Sequence, residues 1–129
     1  MIEEGLKTFL EAQTAITNLV GSRIYPLILP QKPSYPALTY ARVSGLRLHN
    51  FGGPSGRGWP RFTVSLWAET YAGAKALAEK TRQALDGHRG ALGSAAGVAV
   101  SIENEIDFYE GEAKVYRVLQ DYFISHLET

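Results

Sequence analysis

Few residues in this sequence have the type and spacing that catalysis requires. Ser55 lies in the glycine-rich run 53–58, where a strained turn could expose it as a nucleophile. The nucleophile-elbow motif needs glycine two residues before and two residues after the serine, and Arg57 stands at the second position. None of the three histidines has a spacing that pairs it with Ser55 as a base. We therefore predict that residues 49–58 form a loop or hairpin tip and that the protein is not an enzyme.

The same run also lacks the features of a phosphate-binding loop. The Walker A motif ends in lysine followed by serine or threonine, and neither follows these glycines. The dinucleotide fingerprint opens a helix, whereas Pro60 and a strand-like pattern follow here. Cysteine is absent from all 129 residues, which excludes disulfides, thiolate metal sites and a cysteine nucleophile. The sequence therefore implies no cofactor.

Three acidic residues alternate along a predicted strand and would share one of its faces. These residues, Glu103, Glu105 and Asp107, have the carboxylates that a hard cation such as Mg²⁺ prefers. The alternative is a solvated strand face whose acids pair with cross-strand lysine or arginine. We favour the solvated face, because no other carboxylate cluster accompanies these residues, and we predict no metal site.

Arg57, Trp59 and Arg61 have the side chains that stack on bases or contact phosphates. However, 13 lysines and arginines are balanced by 13 acids, whereas nucleic-acid and anionic-lipid binders usually carry a basic excess. No apolar run approaches the roughly 20 residues that span a bilayer. Glu3 and Glu4 also stand where a secretory signal would be basic. We therefore expect a soluble, cytosolically made protein that binds neither membrane nor specific nucleic-acid sequences.

The apolar patterning predicts one domain over residues 1–129 with the element order α-β-β-α-β-β. The first half is predicted to contain a helix over Ile2–Leu19 ended by Gly21, a proline-rich edge segment and loop over 23–36, a strand over 37–48 and the loop or hairpin tip at 49–58. A strand over 61–68 and a helix over 70–86, ended by Gly87, follow. The last part is predicted to contain a small-residue loop to Gly97, a strand over 98–107, a turn at 110–112 and a strand over 113–126. This order indicates an α+β fold, with an antiparallel sheet of about four or five strands and two helices packed on one face.

The last predicted strand is apolar on both faces, and aromatic residues accompany the glycine-rich loop. A strand that is apolar on both faces is either sandwiched or pressed against another subunit. Aromatic side chains on a loop are enriched at protein–protein contacts, although Trp59 and Trp67 could instead complete a small core. The candidate partner-interface residues are Leu46, Leu48, Phe51, Arg57, Trp59, Tyr116 and Tyr122.

Several short runs, taken in order, resemble the phage tail-completion proteins, which include tail-to-head joining proteins of long, non-contractile tails. These runs are Gly21–Pro26, Leu29–Gln31, Tyr35–Tyr40, Arg61–Ala68, Tyr71 with Ala74, Ala84–Gly87, Tyr116–Arg117 and Asp121–Tyr122. The resemblance covers residues 5 to 126, and it depends on the order and spacing of the runs together.

The resemblance implies a tail terminator with an α+β fold and no cofactor. Such a subunit forms a ring, expected to be a hexamer, on the last ring of tail-tube protein and stops tube polymerisation. The ring then presents the surface that joins the head–tail connector protein. The implied location is the virion tail or neck, after assembly in the cytoplasm of a bacterial host. Phage, prophage and gene transfer agent all remain open as the particle.

Two other functions remain open from the sequence. One is a head-side connector or stopper protein of the neck, and the other is a small binding module without a virion role. A nucleic-acid-binding module would show salt-sensitive DNA affinity as a monomer or dimer.

Overall fold

The computed structural model describes the backbone of residues 2–50, 53–93 and 95–127 and the side chains of residues 2–43, 60–93 and 95–126. In these ranges the helices are α1 (Ile2–Glu11), α2 (Thr14–Val20) and α3 (Tyr71–Leu85). The strands are β1 (Ile24–Pro26), β2 (Ala37–Asn50), β3 (Gly53–Ala68), β4 (Arg89–Leu92), β5 (Ala95–Glu110) and β6 (Val115–Leu127). None of these helices has the length and apolar character needed to cross a membrane.

The six strands of the described chain form one sheet in the order β1-β2-β3-β6-β5-β4. β1 runs parallel to β2, and the other neighbouring pairs are antiparallel. The α+β class is confirmed, but the prediction of four or five strands and two helices was too low. β4, with four residues, falls inside the predicted small-residue loop, because so short a strand carries little pattern. β1 lies at the sheet edge, where the sequence predicted an extended segment.

The first helix ends earlier than the apolar spacing predicts. Ile2–Leu19 was predicted as one helix, but Gln13 has extended backbone angles (φ −87°, ψ 104°) and separates α1 from α2. The Gln13 side-chain amide donates to the Phe9 carbonyl oxygen at 3.2 Å, which satisfies an acceptor at the end of α1. The spacing could not show this break, because Leu10 and Ile16 on either side of it are both fully buried.

Residues 49–58, predicted as a loop or hairpin tip, lie at the tip of the β2–β3 hairpin, but most of them are paired strand rather than loop. β2 continues to Asn50 and β3 begins at Gly53, so only residues 51 and 52, which lie outside the described residues, separate the two strands. Backbone pairing extends through the glycine-rich run, with Arg47 opposite Gly58. Register shifts interrupt this pairing after Arg42 and after Arg47, and glycine in a strand often accompanies such irregularities.

The described helices pack on one face of the sheet and enclose a single hydrophobic core. Fully buried side chains from both layers form its centre, among them Leu6, Ile16, Phe62, Leu77 and Tyr122. The alternation predicted for residues 61–68 is confirmed, since the even-numbered side chains from 62 to 68 are buried against the helices. The opposite face of the sheet carries no helix of the described chain.

Candidate functional site

Among the described side chains, the densest group of ionisable residues joins α3 to β5. Lys75 Nζ lies 3.3 Å from Glu105 Oε2 and 3.2 Å from Asp107 Oδ1. Arg82 Nη1 lies 3.0 Å from Glu105 Oε1, and the Tyr71 hydroxyl donates to Asp107 Oδ2 at 2.6 Å. Both acids therefore have cationic partners on the helix, and these ion pairs and hydrogen bonds connect α3 to the sheet.

The electrostatics of this group keep both acids ionised. Burial alone would raise the pKa of Glu105, but hydrogen bonds from Gln120 and Lys75, with the charges of Lys75 and Arg82, outweigh burial and lower it. The hydrogen bond from Tyr71 is the largest cause of the lowered pKa of Asp107, and Lys75 adds to it. A general acid or base near neutral pH needs a pKa near 7, so neither carboxylate is suited to that role.

A buried polar side chain extends the group into the core. Gln120 is fully buried, and its Nε2 donates to the Ala78 carbonyl oxygen at 2.9 Å and to Glu105 Oε1 at 2.8 Å. The Tyr122 hydroxyl donates to Gln120 Oε1 at 2.7 Å, and burial raises the pKa of Tyr122. Among the described side chains, no buried nitrogen or oxygen lacks a hydrogen-bond partner. Such a fully satisfied network is typical of a structural role.

The three alternating acids do not share one face, so the predicted acidic face was wrong. A bulge between Ile102 and Asn104 shifts the register of β5 against β6 and reverses the faces beyond it. Glu105 therefore faces the helices, whereas Glu103 is exposed and accepts from Ser101 Oγ at 3.2 Å. The cationic partners of Glu105 and Asp107 lie on α3 rather than on a neighbouring strand. No group of three potential metal-ligating side chains occurs in the described part of the chain.

The candidate nucleophile and histidines do not form a described catalytic site. Ser55 lies in β3 and His49 in β2, and their side chains are outside the described set. The His88 ring packs on Phe9 with centroids 4.4 Å apart, and its Nε2 lies 2.8 Å from the Ala91 carbonyl oxygen. His88 therefore contributes to the packing of α1 against the region around β4.

A cleft of about 390 Å³ opens between the end of α3 and the β5–β6 pair. Its polar lining includes Asp86, Arg89, Ser101 and Ser125. Asp86 Oδ1 accepts a hydrogen bond from the Ile102 N–H at 3.0 Å, so this carboxylate supports the sheet. The lining of the cleft contains no histidine, and it does not form a nucleophile–base pair of the usual kind.

The predicted partner-interface residues lie in three settings. Four of them lie in parts of β2 and β3 where only the backbone is described, namely Leu46, Leu48, Arg57 and Trp59. Phe51 lies outside the described residues.

The remaining two predicted interface residues lie on the helix-facing side of β6. Tyr116 is half-buried, with its ring 4.9 Å from that of Tyr109 and 5.7 Å from that of Tyr71. Tyr122 is fully buried, so a partner cannot reach it, and its prediction as an interface residue was wrong. Apolar patterning on both faces of the strand could not distinguish a core position from an interface position.

The exposed large apolar side chains of the described residues fall into two groups at opposite edges of the sheet. One group comprises Leu19, Leu27, Ile28 and Val43, and the other comprises Tyr71, Ile106, Phe108 and Tyr109. We call Leu27, Ile28 and Val43 the β1/β2 patch, and Ile106, Phe108 and Tyr109 the β5 patch. Within the β5 patch, Tyr109 lies on the helix-facing side of the strand with Tyr116, whereas Ile106 and Phe108 lie on the opposite side. Sequence reasoning missed both patches, because the β5 bulge and the short β1 strand were not predicted.

The ionisable network is structural, and exposed apolar side chains lie at two edges of the sheet. These two features are typical of a subunit that acts through contacts with other proteins. The model of the family described as tail completion protein gp17 matches residues 4–126, and the chain belongs to that family. The resemblance drawn from the sequence is thereby confirmed. The protein is a structural component of the virion, located at the tail or neck.

The fold also occurs in a solved particle structure. A chain from the structure titled "Virion of native gene transfer agent (GTA) particle" matches with a TM-score of 0.73 and 19% sequence identity. The match covers 99% of this chain and 98% of that chain, so the two share a fold over their whole lengths. A search of curated proteins finds no match to the chain.

Proposed function

We propose that this protein is a tail terminator that closes into a ring, with six-fold symmetry, on the last ring of the tail tube. The ring ends tube polymerisation and offers the head–tail connector its joining surface. The observation that carries this proposal is the tail-completion family match over residues 4–126. The ring contacts other copies of itself, the tail-tube protein and the connector protein, with residues 1–129 acting as one domain.

Two physical features support a ring. The exposed apolar groups lie at two unlike edges of the sheet, and unlike surfaces that join head to tail close into a ring when the rotation permits. The chain carries no net charge, with 13 basic and 13 acidic residues, which limits electrostatic trapping of DNA that passes through the ring.

The test is polymerisation of the tail-tube protein of the same particle with and without this protein. Negative-stain electron microscopy measures tube length and the occupancy of tube ends. We expect short tubes with one end capped by a ring, and a shorter mean length as more of this protein is added. Unchanged tube lengths and bare tube ends would overturn the proposal. Rings that bind isolated connectors but never tubes would indicate a head-side stopper instead.

A further inference from the structure

Both edges of the sheet leave long stretches of strand uncovered. β1 pairs with β2 only at residues 38–40, and β4 pairs with β5 only at residues 95–99. Within the described residues, 41–50 of β2 and 103–110 of β5 have no strand on their outer sides. Uncovered strand edges attract other strands and are usually blocked when no partner exists.

The exposed apolar side chains lie at these same two uncovered stretches. The Leu27 N–H donates to the Tyr40 carbonyl oxygen at 2.8 Å, which places the β1/β2 patch beside the uncovered part of β2. Leu27 is 71% exposed and has a left-handed backbone (φ 67°), an arrangement that costs free energy for a residue with a side chain. An exposed apolar side chain held in a strained conformation indicates a functional contact.

The β5 patch is held in a fixed arrangement before any partner binds. The Arg117 guanidinium lies 4.5 Å from the centre of the Phe108 ring and bonds Glu110 at 3.0 Å. The Tyr109 ring packs on Tyr116. Pre-organised aromatic side chains lose little entropy on binding and frequently dominate the energy of an interface.

The two uncovered stretches also differ in charge. The sequence of residues 41–50 contains two arginines and no acid, whereas that of residues 103–110 contains four acids and no base. Ion pairs offset several of these charges, since Arg42 pairs with Glu3 at 3.1 Å, Glu110 pairs with Arg117 at 3.0 Å, and Glu105 and Asp107 pair with helix residues. Glu103 is exposed and contributes negative charge to the β5 edge. Opposite charge favours contact between unlike edges and disfavours contact between like edges.

We propose that the β5 patch of one copy packs against the β1/β2 patch of the next copy, so that ring subunits join edge to edge. This inference rests on the proposed ring and names the surfaces that close it. The contact is heterologous, because each copy uses a different edge toward each of its two neighbours. Contact between like edges would instead pair copies as closed dimers and would leave the chain unable to form a ring.

Two charge substitutions test this contact. Ile28→Asp and Tyr109→Asp each place a charge in one patch, at side chains that are 77% and 56% exposed. Ala76→Asp places the same charge on the exposed side of α3 and serves as the matched control. Thermal unfolding establishes that all three variants are folded. Light scattering and microscopy with tail-tube protein then measure ring formation.

We expect the control to form rings like the unsubstituted protein and each patch variant to lose ring formation. An equimolar mixture of the two patch variants should form dimers that contain one copy of each, since one intact patch of each kind remains. Rings that form normally from both patch variants would overturn the edge contact and leave the proposed function intact. Failure of the unsubstituted protein to form rings on tubes would overturn both.

A cross-linking experiment tests the same contact without disrupting it. Because the chain contains no cysteine, an Ile28→Cys/Tyr109→Cys double variant carries the only two thiols. A flexible bis-maleimide added to assembled rings should link copies into a ladder that ends at the ring size. Each single cysteine variant should give no ladder beyond a dimer. Rings of the double variant that show no more linkage than the single variants would overturn the proposal.

Discussion

Replacing Gln120 by leucine removes the buried centre of the network that joins α3, β5 and β6. The amide side chain makes three hydrogen bonds, to the Ala78 carbonyl, the Glu105 carboxylate and the Tyr122 hydroxyl, at 2.9, 2.8 and 2.7 Å. Leucine has a similar size but no polar atom, so the substitution tests the hydrogen bonds more than the packing. The fold should survive, since the surrounding core is apolar.

The cost of the substitution follows from what each partner loses. The Tyr122 hydroxyl is left buried without an acceptor, which costs about 1–3 kcal/mol, and Glu105 loses one of its donors. Leucine avoids the desolvation of the buried amide, which offsets about 1 kcal/mol. With about 1 kcal/mol for the donor that Glu105 loses, we therefore expect Gln120→Leu to lower the free energy of unfolding by about 1–3 kcal/mol.

Urea denaturation followed by circular dichroism measures this change, and Tyr122→Phe provides the second corner of a double-mutant cycle. Tyr122→Phe alone should cost about 1 kcal/mol, because the Gln120 oxygen loses its donor. The double variant should be about 1 kcal/mol more stable than the sum of the single changes, since it leaves neither group unpaired. Strictly additive effects, or a loss below about 0.5 kcal/mol for Gln120→Leu, would refute this account of the network.

Three further predictions concern stability. Gly5→Ala places a Cβ against the backbone of β4 and should cost about 2 kcal/mol in urea denaturation, whereas Gly111→Ala, with open space around it, should change stability by less than about 0.5 kcal/mol. Thr70→Ala removes the N-cap hydrogen bond of α3 and should lower the free energy of unfolding by about 1 kcal/mol, while Thr70→Ser should keep most of it. Folding lowers the pKa values of Glu105 and Asp107, so their stabilisation is present at neutral pH. It is lost as the pH falls below the ordinary pKa of each residue, 4.5 for glutamate and 3.8 for aspartate. The midpoint of thermal unfolding should therefore fall less steeply in acid for a Glu105→Gln/Asp107→Asn double variant, and an identical acid profile would contradict the assignment.

Features that depend on regular periodicity could be predicted from the sequence. Helix 70–86 corresponds to α3, and Gly87 follows it with a left-handed backbone (φ 83°) that few other residues adopt. Strand 61–68 lies within β3 with the predicted faces. In both elements the buried side chains recur at the spacing of an ideal helix or strand, so pattern and packing agree.

Features that depend on a break in periodicity could not be predicted. The β5 bulge near Glu103 adds one residue to a strand that otherwise alternates, and no residue type announces it. That single residue moves Glu105 to the helices and exposes Ile106. The break at Gln13 and the pairing of β2 with β3 through the glycine-rich run likewise depart from the patterns around them. Sequence patterns could therefore predict neither the structural network nor the β5 patch.

The family could be recognised from sequence although the partner surfaces could not. Short runs such as Gly21–Pro26 retain their order along the chain, and the family match over residues 4–126 confirms what they indicated. An interface residue carries no comparable local signal, because an apolar position in a strand fits a core as well as a contact. Tyr122 illustrates this, since its predicted interface position is a buried core position.

The measurement that tests the central claim most directly is a cryo-electron-microscopy reconstruction of the neck of the intact particle. The proposal predicts a closed ring of this chain between the last tail-tube ring and the connector, with neighbouring copies in contact through their sheet edges. Density for this chain on the head side of the connector, or distributed along the tube without a ring, would contradict it.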